Sequence, residues 1–187
     1  MLRKTARALL DVLELTPAEL SVLLTDDESI RALNRNWRGK DAATDVLSFA
    51  QVDDVRGAAA AGLAEANRPP FALGDVVISL ETAARQAEAL GIDCDARLRT
   101  LLIHGLAHLL GYDHERSPVE ARRQFACERE LAACLDTALT ARGTDAPRRS
   151  RAAVAGAAAP SGRGARQTDR SGWRPNAPAA SDLRRDR

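Results

Sequence analysis

Residues 104–114 read His-Gly-Leu-Ala-His-Leu-Leu-Gly-Tyr-Asp-His, and they hold every histidine in a chain of 187 residues. Four residues of α-helix advance about 400° and rise about 6 Å, so His104 and His108 leave the same face one turn apart, which suits two ligands on one ion. Gly111 accepts the left-handed conformation that ends a helix, and the turn through Tyr112 and Asp113 brings His114 round as a third ligand. Three neutral nitrogens with a fourth position left open form the layout of a catalytic zinc, so one Zn2+ ion on His104, His108 and His114 is expected. A lone histidine beside Leu106 and Leu109 would more often be a satisfied core residue; three at this spacing read as a metal site.

The spacing also resembles the metzincin protease signature, in which a glutamate follows the first histidine and acts as general base. Gly105 stands there, so the group that would activate water for peptide hydrolysis is missing.

The elements that must position these side chains are marked by caps and periods. Leu98, Leu101, Leu102, Gly105 and Leu109 form the apolar stripe of one helix, and His104 and His108 lie along its edge. This predicts a metal site at a helix edge, at the rim of the core. Ser117-Pro118-Val119-Glu120 is a capping box with proline at the first helical position, and Arg142-Gly143 closes the far end, giving a helix over about 118–141. Upstream, residues 74–79 read as a buried strand. It leads into a helix over about 80–90 that turns Leu80, Ala83, Ala84, Ala87 and Leu90 inward and ends at Gly91. Residues 45–50 read as another strand, and 53–70, rich in Ala and Gly, as a loop or loose helix. Thr16-Pro17-Ala18-Glu19 looks like a helix start, yet residues 21–25 also fit a strand followed by a helix begun at Asp26 or Asp27; the strand is preferred. The sum is an α/β (α+β) fold, and the apolar content of 45% supports one real core.

That content is uneven. Residues 143–187 hold eleven Ala and ten Arg but only three large apolar side chains, Val154, Trp173 and Leu183, too few to offset the entropy of ordering. The chain therefore divides into a folded domain, 1–142, and a disordered Ala/Arg/Gly/Pro-rich tail, 143–187. The net charge of +1 conceals about −5 on the first part and +6 on the second. The arginines would strengthen contact with nucleic acid by neutralising phosphates; the competing explanation is compositional drift of a GC-rich coding sequence, suggested by two Lys against 25 Arg. Cys94, Cys127 and Cys134 form no C-x-x-C pair. With no apolar leader and no membrane-length apolar run, a cytoplasmic chain with reduced thiols and no membrane contact is expected. Cys127 and Cys134, seven apart, read as core residues of the last helix.

Several blocks together carry a family resemblance. Asn34-Arg35-Asn36-Trp37-Arg38-Gly39-Lys40-Asp41, Thr44-Asp45-Val46-Leu47-Ser48-Phe49, Leu73-Gly74-Asp75 and the histidine block resemble the YbeY family of bacterial endoribonucleases, in the family's order and across about residues 20–141. The resemblance implies a single-strand-specific, zinc-dependent endoribonuclease, a hydrolase acting in rRNA maturation at the 3′ end of 16S rRNA and in ribosome quality control. Its partners would be rRNA and the small ribosomal subunit; no protein partner is indicated. It also implies a small, mostly parallel mixed sheet of three to four strands packed with about five helices. Arg38 matches the family's functional arginine, and its guanidinium can grip a scissile phosphate bidentately, so Arg38 and His104 are the candidate catalytic residues beside the metal ligands. Lys40 is a weaker phosphate candidate, while Asp41 and Asp45 read as braces of the loop.

The chain departs from the family in places. Ala107 stands where leucine is usual, a difference of roughly 2–5 kcal/mol if uncompensated, and Gln124 stands where methionine is usual, a similar weakening. The family has a strand before the first helix, whereas this chain opens almost directly in the helix-like run Leu9-Leu10-Val12-Leu13, as if an edge strand were missing or the start assigned late. Six aromatic residues in all are too few in any one cluster to suggest a stacking platform for bases, which leaves Arg and Lys to hold RNA. Two further functional classes stand beside the endoribonuclease: a zinc hydrolase of another substrate, metalloprotease-like, and a noncatalytic zinc-stabilised ribosome assembly factor.

Overall fold

The structure, a computed structural model, describes residues 1–15, 18–53, 55 and 70–144. Most of the expected loop over 53–70, Thr16-Pro17 of the alternative helix start and nearly all of the arginine-rich tail lie outside the described residues. Among the described residues, five helices and three strands follow in the order α1 (Leu2–Val12), β1 (Glu19–Thr25), α2 (Asp27–Arg38), β2 (Val46–Ala50), β3 (Ala72–Ser79), α3 (Leu80–Leu90), α4 (Cys94–Leu109) and α5 (Pro118–Thr144). The open sheet is mixed, in the order β1-β3-β2, with β1 parallel and β2 antiparallel to the central β3.

β3 is covered on both faces, which is why its run Leu73 to Ile78 is almost continuously apolar. Val76 and Ile78 enter the main core with Leu98, Leu102, Leu106 and Leu109 of α4, while Val77 joins Ile30 of α2 and Leu47 of β2 on the opposite face. The residues at 21–25 are strand, as preferred, because the helix signal begins only at Asp26, whose side chain accepts from Ser29 N at 2.8 Å and caps α2. The next residue, Asp27, ties the starts of two helices: it accepts from the hydroxyls of Ser79 and Thr82 and from Arg85 of α3. Those bonds, that from Ser79 first, hold its carboxyl down at about 2.

Three expectations need correcting. In α3 only Ala83 and Ala87 are buried; Leu80, Ala84 and Leu90 are exposed, because the helix covers its neighbours with a narrow stripe of small side chains. Cys134 is exposed, although Cys94 and Cys127 pack against the core, since Leu131 and Leu135 take the inward face of α5. Gly143 does not close α5, which runs on to Thr144.

Candidate metal centre

His104 and His108 project from the last turns of α4, which lies against β2 and β3. Nearly every other residue in this part of the helix is buried, so the two half-buried imidazoles mark the one edge that meets solvent. Gly105 shows how close the helix lies to the sheet. A Cβ there would sit 2.7 Å from Val76 Cγ1 and 3.0 Å from Ser48 Oγ, and its carbonyl accepts from Ser48 Oγ at 3.0 Å. The protease glutamate is therefore absent for a steric reason: that position faces the sheet. At the C-terminus Gly111 takes φ of +89°, its N–H reaches His108 O and that of Tyr112 reaches Ala107 O, which reverses the chain as expected and returns His114 to the helix edge.

One ring nitrogen from each of the three histidines lies within 4.8 Å of the others. Nε2 of His104 and Nε2 of His108 are 3.2 Å apart. Two nitrogens bound tetrahedrally to one zinc would be separated by about 3.3 Å, so the pair fits a shared ion. Burial, reinforced by His104 and His114 close by, holds His108 below its ordinary pKa and keeps it in the neutral form that binds metal.

Two residues of α5 hold this arrangement, and neither is legible as functional in the sequence. Glu128 Oε1 lies 2.8 Å from His104 Nδ1. Burial works to raise its pKa, but hydrogen bonds from His104 and Gln124 outweigh that and hold the carboxyl below the usual range. An ionised carboxylate only accepts, so Nδ1 carries the proton and Nε2 presents its lone pair. Gln124, one turn earlier and fully buried, accepts the His114 N–H at 2.8 Å. That contact fixes its amide, which leaves Nε2 to donate to Glu128 Oε1 at 3.0 Å. Gln124 is thus no mere loss of apolar volume: it links His114 of the loop to the carboxylate that orients His104 of the helix. Ala107, fully buried, does stand in the core.

The histidines form one side of a cleft of about 460 Å³ whose other side includes Trp37, Arg38 and Phe49. Arg38 is the last residue of α2, ended by Gly39 at φ of +66°. Its guanidinium donates to Glu115 Oε2 at 2.8 Å, with Lys40 Nζ 3.8 Å from the other oxygen. The bond from Arg38 holds Glu115 below the usual carboxylate range. Asp41 stands apart from the site, braced by Arg31 at 2.8 and 3.0 Å. Asp45 accepts from Val46 N, Gln86 and Arg97, which joins β2 to α3 and α4.

The family model for endoribonuclease YbeY matches residues 1–136. The chain belongs to the endoribonuclease YbeY family. Relatives named endoribonuclease YbeY include proteins of Myxococcus xanthus, 50% identical over 131 residues, and of an Anaeromyxobacter species, 52% identical over 134. The matches take in 70% of this chain in both cases, but 41% and 62% of those proteins' lengths. The relative from Geobacter sulfurreducens is 47% identical over 136 residues, 72% of this chain and 85% of its own length. A solution structure of a Thermotoga maritima protein matches 80% of this chain and 91% of its own, with a TM-score of 0.50 and 22% identity, and so shares the fold. Among the described residues no helix is long and apolar enough to cross a membrane.

Proposed function

We propose that the protein is a single-strand-specific, zinc-dependent endoribonuclease of rRNA maturation, acting at the 3′ end of 16S rRNA on or near the small ribosomal subunit and serving ribosome quality control. The observation that carries the catalytic part is that three clustered imidazoles and the guanidinium of Arg38 share one cleft. The choice of rRNA rests on family membership. His104, His108 and His114 would hold the ion, which would supply Lewis acidity to the reacting phosphate. Arg38 grips the same phosphate and stabilises the charge that develops on it. Glu115, which accepts from Arg38 at 2.8 Å, holds the guanidinium until a phosphate takes the carboxylate's place. His104 is kept in one tautomer by Glu128. A peptidase reading is disfavoured by Gly105, which has no room for the general base.

The test compares wild type, His108→Ala and Arg38→Ala for bound zinc and for cleavage of a precursor fragment spanning the 16S 3′ end. His108→Ala is expected to lose both, and Arg38→Ala to keep zinc but lose cleavage. Unchanged cleavage in a zinc-free His108→Ala protein would sink the mechanism; loss of cleavage in the zinc-loaded Arg38→Ala protein would exclude a noncatalytic assembly factor. The ends of the products separate two nucleophiles, because a 2′,3′-cyclic phosphate would rule out direct attack by water in favour of the RNA's own 2′-hydroxyl.

A further inference from the structure

Trp37 is 43% exposed although it is among the largest apolar side chains in the protein. It immediately precedes Arg38 and, like it, faces the cleft shared with the histidines. Its indole is held edge to face by Phe49, with ring centroids 5.7 Å apart and planes at 68°. Phe49 in turn packs against the small cluster of Ile30, Leu47 and Val77 on the outer face of the sheet. The orientation of the indole is therefore set in advance by an anchored neighbour, which lowers the cost of presenting it to a ligand. Counting aromatics along the chain hides this pair, because β2 brings Phe49 back beside the end of α2.

We propose that Trp37, braced by Phe49, is a stacking subsite for one unpaired base of the RNA whose phosphate lies between Arg38 and the histidines. The subsite rests on the ribonuclease reading above and deepens it. A nucleotide carries its base and phosphate on one sugar, and consecutive residues present a ring for the first and a guanidinium for the second. Bases of every type have a π face, so the subsite favours no particular sequence. Bases in a duplex have both faces covered, so it selects single strands. The cleft volume is within the range of sites for small ligands.

Trp37 and Trp173 are the only tryptophans, so in full-length Trp173→Phe protein the emission reports on Trp37 alone. Stopped-flow mixing of this zinc-loaded protein with a short single-stranded oligoribonucleotide should quench the emission, and the same oligomer with an abasic site at the cleavage position should quench it far less. In steady-state cleavage Trp37→Leu, which keeps the apolar contact with Phe49 but has no ring, should raise KM roughly 5- to 150-fold with kcat little changed. Trp37→Phe should restore most of the loss. Polarisation of a labelled oligomer measures binding independently. RNA that binds without quenching Trp37, or a wild-type KM in Trp37→Leu, would overturn the subsite while leaving the ribonuclease intact. Wild-type protein that neither binds nor cleaves single-stranded RNA would overturn both.

Discussion

Glu128 and Gln124 set the geometry of the histidine cluster, through His104 Nδ1 and the His114 N–H. Replacing Glu128 by Gln keeps the side chain's shape but removes the charge that fixes the His104 tautomer and raises its basicity. Zinc affinity, measured by competition with a chromophoric chelator, is expected to fall about 10- to 100-fold; an unchanged affinity would show that the carboxylate has no such role. Gln124→Met would strand the half-buried His114 N–H now met by the amide at 2.8 Å. The expected cost is about 1–3 kcal/mol in urea unfolding. The three histidines were readable from the sequence because helix pitch and a glycine turn are local rules. Glu128 and Gln124 were not, since their relation to His104 and His114 depends on how α5 folds back on α4, and one sequence offers no rule for that packing.

At the scale of elements, the approach of α4 to the sheet is set by Gly105. An added methyl would press on Val76 at 2.7 Å, a neighbour in the central strand with little room to move. Gly105→Ala is expected to cost about 1–3 kcal/mol in chemical denaturation, with weaker zinc binding if the helix edge shifts. A second prediction concerns the joint between α2 and α3. The Asp27 carboxyl titrates near 2 in the folded protein, against an ordinary value of 3.8. Its stabilising bonds are therefore complete above about pH 4 and are lost as pH falls through 2. Thermal melts of wild type and Asp27→Asn should accordingly converge between pH 4 and pH 2, whereas parallel curves would mean that the carboxylate contributes nothing. The helices and strands themselves followed from visible signals, as with the Asp26 cap of α2 and the Ser117 cap of α5, whose hydroxyl accepts from Glu120 N at 3.2 Å. The inward face of α3 was legible only in part: Ala83 and Ala87 are buried as expected, whereas Leu80, Ala84 and Leu90 are not, because the width of a buried stripe depends on the neighbouring surfaces.

For the whole molecule, removal of the metal should be felt as lost stability, because an ion that binds only the folded chain stabilises it by about 4 kcal/mol at a thousand times its dissociation constant. Adding a chelator is expected to lower the Tm, and excess zinc to restore it; a melt indifferent to both would place the ion outside the folding equilibrium. The two sides of the cleft differ in origin. The side that carries the three histidines, from His104 to Glu128, is one unbroken stretch of 25 residues. The side carrying Trp37, Arg38 and Phe49 comes from α2 and β2, distant in sequence, and meets the first through the sheet, the Ser48–Gly105 bond and the Arg38–Glu115 bond. On the proposed function, chelation would draw on residues close in sequence and cleavage on residues far apart. Under mild denaturant, cobalt substituted for zinc should keep its tetrahedral visible spectrum after RNA cleavage has disappeared, so a coloured protein is no proof of a working one.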